Sequence, residues 1–249
     1  MTRRAIVLST IAGILAGGSF LSAPVFAAPS ETVEVAGKEA SLSIAPLRIE
    51  IGRGNAGGTV YLSNPSGRPL AVQARMFAWS QDGGEDAYAP SSDISVSPSI
   101  SMIPPGETQI VRLVRKGAAS PGEKRFRLVV DQLPDPTQTG ESDAMARIRF
   151  TLPVFVDRDG AAPAALAWKV TDNRLELANT GGATSRIVGI TVKTAGGTEV
   201  PVERNTLRYV HGNSTIAWPI GKGCSLGALK VTAQVDGQTV DAQPVSICG

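Results

Sequence analysis

The chain has 249 residues, 42% of them hydrophobic and 18% charged, with 27 Gly, 17 Pro and a formal net charge of +2. That is apolar enough to bury a core and not charged enough for a disordered chain. One His and two Cys leave too few ligands for a protein-built zinc site, and Lys and Arg are scattered rather than striped, which argues against a nucleic-acid surface.

The chain opens on Met1-Thr2-Arg3-Arg4, followed by an apolar run from Ala5 to Phe20 that small residues interrupt. Val25-Phe26-Ala27 then places small residues at the two positions a signal peptidase inspects, so residues 1–27 read as a cleaved secretory signal. A membrane anchor is the weaker reading, because Gly17, Gly18 and Pro24 break the run short of the roughly 20 apolar residues a span needs. Cleavage would remove two Arg and no acidic residue, leaving 22 charges of each sign on an exported product.

Beyond the signal, alternation dominates. Thr59 to Ser63 runs into the turn Asn64-Pro65-Ser66-Gly67, and Leu70 to Trp79 puts Leu70, Val72, Ala74, Met76 and Ala78 on one face. Gln109 to Arg115 follows the turn Pro104-Pro105-Gly106-Glu107, and Arg125 to Asp131 precedes Leu133-Pro134. Ile148, Phe150, Leu152, Val154 and Val156 share one parity, with Arg147, Arg149 and Thr151 on the other. About seven short strands with regular turn signals predict an immunoglobulin-like sandwich over residues 28–157, without the Cys pair of antibody domains. The charged, Pro-terminated stretch 158–163 suits a linker. Strands resume over residues 164–249 at Leu166–Val170, Arg174–Leu177, Ile187–Val192, Leu229–Val235 and Thr239–Val245, so the fold class is all-β, two sandwiches joined end to end.

Cys224 and Cys248 both fall in the second unit, and in an exported protein they predict a structural disulfide that pins the last strand. A redox pair would sit closer, as C-x-x-C. Catalytic motifs are sparse. His211 has no G-x-S-x-G partner. The stretch Gly52–Gly58 lacks the Gly-Lys-Ser/Thr ending of a phosphate loop and reads as a hairpin connection, and Asp82–Asp86 lacks the spacing of a calcium loop and reads as a solvated turn.

The unusual feature is the last strand of the first unit, expected from about Met145 to Val156. It is long, apolar on one parity, and preceded by the polar stretch 137–143. Pro153 inside it favours a sheet edge, since proline donates no ladder hydrogen bond. Such a strand is either an ordinary core strand or an edge held available for a partner strand, with alternate side chains entering the partner's pockets.

The order of these features resembles the periplasmic pilus (fimbrial) assembly chaperones of the chaperone–usher pathway. The matched stretches are Ile44–Ile49 as a first strand, Val60–Pro65, Ile103–Leu113, Arg127–Pro134 and Ile148–Val156, and Leu152-Pro153-Val154-Phe155-Val156 is most similar to the branch that serves thin, archaic-type pili. The resemblance implies two immunoglobulin-like domains in an L arrangement, no enzyme activity and no cofactor. It implies a periplasmic protein whose partners are pilus subunits and an outer-membrane usher. It also implies strand donation through Ala146, Ile148, Phe150 and Leu152, and an anchor for the subunit's C-terminal carboxylate. Arg48 matches the first cation of that anchor; Pro153 stands where the family places a Lys, so the second cation falls to Arg125 or Arg127, or Arg48 acts alone. The apolar edge also leaves room for a self-capped homodimer. The competing reading is an exported adhesive or structural sandwich module.

Overall fold

Proline decides where the first strand of this chain stops. In the structure, a computed structural model that describes residues 41–134, 147–203, 205 and 207–248, the expected first strand at Ile44–Ile49 is two strands. Strand β1 (Ser43–Ala45) and strand β2 (Ile49–Ile51) lie in different sheets, with Pro46 between them. A residue without an N–H cannot continue the ladder, and the chain crosses there from one sheet to the other. The predicted signal, the stretch 137–143 and Ala146 lie outside the described residues.

The remaining strands of the first sandwich are β3 (Gly57–Ser63), β4 (Leu70–Asp82), β5 (Glu85–Pro90), β6 (Ile94–Ser97), β7 (Ile100–Ile103), β8 (Thr108–Arg115), β9 (Lys124–Gln132) and β10 (Arg149–Val156). One sheet has the order β1-β3-β8-β6; the other has β2-β10-β9-β4-β5, with β7 also pairing β4. Gly52–Gly58 is therefore not a hairpin connection, since it carries the chain from β2 in one sheet to β3 in the other. Gly57 opens β3 against β8 so closely that a Cβ would collide with the Leu113 carbonyl. Asp82–Asp86 turns β4 into β5 through Gly83 and Gly84, both at positive φ (55° and 85°), as a tight hairpin turn requires.

The alternating residues meet between the sheets. Val60, Leu62, Val111 and Leu113 from one face Val72, Ala74, Met76, Leu128, Val130, Leu152 and Val154 from the other, all buried. Each large side chain so buried contributes roughly 1.5–3 kcal/mol. Asn64, also buried, spans the base of this core: its Nδ2 donates to the carbonyls of Arg68 (2.7 Å) and Ile103 (2.9 Å), which explains why a polar residue is tolerated there.

The second sandwich holds β11 (Leu166–Thr171), β12 (Arg174–Asn179), β13 (Ser185–Thr194), β14 (Glu199–Val200), β15 (Arg208–Val210), β16 (Ser214–Pro219), β17 (Leu229–Val235), β18 (Gln238–Ala242) and β19 (Val245–Ser246). Its sheets are β16-β12-β11-β19 and β14-β13-β17-β18, with β15 pairing β13. The expected strand Thr239–Val245 is split as the first one was, into β18 and β19 of opposite sheets, with Pro244 at the break. Trp168 and Trp218 stack at 5.7 Å in this core. Cys224 and Cys248 form the predicted disulfide. Cys224 sits in a 3-10 turn (Gly223–Leu226), and the bond ties the stretch after β19 to it. Among the described residues there is no α-helix.

Between β10 and β11 the chain makes one 3-10 turn at Arg158–Gly160, entered through Asp157 at φ 58°. Asp157 is buried, and it tolerates this left-handed backbone because its carboxylate is paired with Arg115 and accepts the Ser120 N–H at 2.6 Å.

Candidate functional site: an open strand edge beside an arginine cluster

Strand β10 has two different halves. Val154, Phe155 and Val156 pair antiparallel with β9 and parallel with β2. From Arg149 to Pro153 the strand pairs with β9 alone, so among the described residues its outer side has no neighbouring strand. The ladder reaches one residue further, with the Gln132 N–H donating to the Ile148 carbonyl at 2.9 Å.

The side chains grade along the strand in the same direction. Val154 and Leu152 face the core and are 0% and 3% exposed. Leu152, expected among the donated residues, is thus already sealed in its own domain. Phe150 and Ile148, on the same parity, are only partly buried and pack against the rim of that core. Arg149 on the opposite face is fixed by an ion pair to Asp131, which also accepts from Arg75 Nη2 at 2.6 Å. An unpaired backbone with half-buried apolar side chains at its open end is the geometry that strand addition needs.

Beside the closed half lies a group of arginines. Arg48 on the approach to β2 covers the Phe155 ring, its guanidinium carbon 4.5 Å from the ring centroid, and Nε donates to Glu50 Oε1 at 2.8 Å. Arg125 is drawn into the junction between the sandwiches. Its Nε donates to Glu123 Oε1 (2.9 Å) and Thr184 Oγ1 (3.0 Å), and its Nη2 to the Gly182 carbonyl (2.9 Å). Arg127 lies opposite Pro153 across β9 and β10, stacked on Trp79 at 3.7 Å, with its side chain 12% exposed. The structure therefore does not bring Arg48, Arg125 and Arg127 to one surface: Arg48 is reachable from solvent, while the other two are packed into the junction.

Glu123 organises that junction. Its carboxylate has no exposed side-chain surface and meets Arg125, Arg158, the Thr184 hydroxyl and the Thr184 N–H. Burial alone would raise its pKa, but these donors hold it below the ordinary carboxylate value. The β4–β5 hairpin supplies further bonds. Gln81 Nε2 donates to the Tyr209 carbonyl (2.7 Å), Gln81 Oε1 accepts the His211 N–H (2.9 Å), and the Gly84 carbonyl accepts from Arg208 Nη2 (2.7 Å). His211 is buried edge-on against Trp79 at 4.2 Å. Burial first, and the nearby Arg125 charge second, push its pKa down to about 4.

Trp79, Phe155 and Tyr209 form a small aromatic core of their own, and neither it nor Glu50, Glu123 and Arg158 follows from the alternation. One signal was available. Phe155 interrupts the period of two, making Leu152–Val156 an unbroken apolar run, and such a run marks a strand covered on both faces. Trp79 likewise falls out of phase after Ala78.

The family model described as Pili and flagellar-assembly chaperone, PapD N-terminal domain, matches residues 41–161. Among solved structures, a chain of the CsuC–CsuE chaperone–tip adhesion subunit pre-assembly complex, from archaic chaperone–usher Csu pili of Acinetobacter baumannii, is 23% identical with a TM-score of 0.66, over 84% of this chain and 100% of that one. The E. coli chaperone DraB is 19% identical with a TM-score of 0.61, over 83% of this chain and 96% of that one. A chain of the Salmonella enterica SafA pilin–SafB chaperone complex is 20% identical with a TM-score of 0.61, over 84% and 98%. At these identities the likeness is one of fold, two β-sandwich domains throughout. No curated protein sequence matches the chain. The first sandwich, with its split first strand and its half-paired last strand, carries the match to the pilus-chaperone N-terminal domain, and the solved chaperone structures share the fold of the chain as a whole.

Proposed function

We propose that this protein is a periplasmic, non-enzymatic chaperone of the archaic-type branch, which lends the open half of β10 to an incomplete pilus subunit and hands the subunit to an outer-membrane usher. A subunit lacking its last strand exposes apolar surface and unpaired backbone groups, and such a species aggregates. Adding Ile148–Thr151 as the missing strand satisfies those backbone groups, and Ile148 and Phe150 enter the subunit's groove on one face. Two large side chains so transferred contribute roughly 1.5–3 kcal/mol each, less the cost of ordering the segment. Ala146 would extend the same parity by one pocket. The domain plan that goes with this is a donor sandwich up to Asp157, a short connection at 158–163 and a second sandwich over 164–249, after removal of residues 1–27. Arg48 anchors the subunit's terminal carboxylate, for which a planar guanidinium fork is suited.

The observation that carries this reading is the one-sided pairing of Arg149–Pro153 next to the two-sided pairing of Val154–Val156. The test is co-expression of a pilin from the same gene cluster with the Ile148→Asp, Phe150→Asp double variant. Recovery of the pilin on the chaperone is expected to fall at least tenfold, about the loss of one pocket-filling side chain or more. Undiminished recovery with a folded variant overturns strand donation. Without a subunit, the same edge is where two copies of the chaperone would cap each other, which light scattering of the free protein reads directly.

A further inference from the structure

Pro153 leaves the carboxylate anchor with one assigned cation, and both expected substitutes are engaged elsewhere: Arg125 with Glu123, Thr184 and Gly182, and Arg127 under Trp79. A different arginine shares the Phe155 ring with Arg48. The guanidinium carbon of Arg158 lies 5.5 Å from that ring's centroid, and its side chain is 22% exposed against 32% for Arg48. Between the two stands Glu50. Its Oε1 accepts from Arg48 Nε and Nη2 and lies 4.0 Å from Arg158 Nε. Glu50 lies on β2 two residues after Arg48, which precedes the strand, and its backbone is in register with Phe155.

We infer that Arg158 is the second cation of the subunit anchor and that Glu50 occupies the anchor in the free chaperone, as an internal stand-in for the subunit's terminal carboxylate. The Glu50 carboxylate already accepts the two N–H groups of Arg48 that a terminal carboxylate would take. Its side chain is 48% exposed, so it can swing into water without burying a charge. Arg158 keeps Nη1 on Glu123 Oε2, which holds the guanidinium in place, and its Nε faces Glu50 Oε1 at 4.0 Å. An incoming carboxylate therefore competes with an intrachain one, and apparent affinity is lowered by the fraction of chaperone in which Glu50 fills the site. Glu50 sets discrimination as well: a partner without a free terminal carboxylate has nothing with which to displace it.

This inference rests on the strand-donation reading, and the experiment separates the two. Complexes with a co-expressed pilin are purified, and the half-time of pilin transfer to a differently tagged wild-type chaperone is measured, for a pilin ending in its own carboxylate and for one extended by a C-terminal tag. Glu50→Gln is expected to slow transfer of the native pilin roughly two- to fivefold, the scale of an exposed ion pair, and to leave the extended pilin unchanged. Arg158→Gln is expected to speed transfer of the native pilin only, with Arg158→Lys restoring it. Because Arg158 also contacts Glu123, thermal midpoints accompany those variants, while Glu50→Gln touches no core residue and decides the matter alone. An unchanged or faster transfer for Glu50→Gln overturns the inference. So does a wild-type chaperone that holds native and extended pilins equally, even where Ile148→Asp, Phe150→Asp still abolishes capture and strand donation stands. A wild type that captures no pilin removes both.

Discussion

The two sandwiches finish their last strands in opposite ways. In the second, β19 is two residues long and among the described residues pairs with β11 alone; its Val245 and the following Ile247 are 65% and 57% exposed. Burial cannot hold such a strand, and the Cys224–Cys248 bond holds it instead. In the first, β10 has no covalent tie. Its C-terminal half is locked by two neighbouring strands and a sealed row of side chains, and its N-terminal half has, among the described residues, one neighbour and half-buried apolar groups. A loose terminal strand can be closed by chemistry within the chain or by a partner from outside it, and under the proposed function this protein would use both solutions in one fold.

The largest effect that sharpens this contrast lies inside β10 itself. Leu152→Ala removes a side chain sealed in the core and is expected to destabilise the first sandwich by about 2–5 kcal/mol. Phe150→Ala, two residues away on the same face, should cost less than half of that, because its side chain keeps part of its contact with water in the native state. Urea denaturation followed by tryptophan fluorescence measures both. Equal losses would mean that the open half of β10 belongs to its own core as fully as the closed half does.

The disulfide gives the next test. Replacing Cys224 and Cys248 by Ser should cost about 3 kcal/mol on the chain-entropy estimate for a bridge with a sequence separation of 24. Hydrogen exchange should locate the loss at β19 and its partner β11, with β10 unaffected. A loss spread over both sandwiches would make the two terminal strands parts of one cooperative unit.

How much of this was legible beforehand follows from range. The parity of Ile148–Val156, the Pro153 signal and the Cys pair are local, and each gives its structural feature directly. The open half of β10 is not local, since it exists only because Ile49–Ile51, about a hundred residues earlier in the chain, stop pairing at Val154. The arginines differ even less in sequence. Arg48, Arg125, Arg127 and Arg158 all sit on or beside strands, and what separates them is what each guanidinium meets: Glu50 and Phe155 for Arg48, Glu123 and Phe155 for Arg158, Glu123 and Thr184 for Arg125, and Trp79 for Arg127. The split strands were readable in principle: Pro46 and Pro244 sit at both breaks.

The smallest effect asks whether the two sandwiches, with their different endings, lean on each other. His211 belongs to the second and is packed on Trp79 of the first. The groups around it are Arg125 and Arg127 on β9, Glu123 just before that strand, and Asp86 on β5. Folding lowers its pKa from 6.5 to about 4, so the unfolded chain takes up a proton first as pH falls. The stability His211 leaves intact is complete above pH 6.5, declines as pH drops below that value, and levels off near pH 4. At pH 5 the loss is about 2 kcal/mol. The lowered Glu123 and Asp131 carboxyls titrate below that window, so the decline between pH 6.5 and 5 isolates His211. His211→Gln should flatten the denaturation free energy across it. A wild-type profile that is already flat there would mean that the imidazole is hydrated and that the junction opens without unfolding, leaving each sandwich to manage its last strand alone.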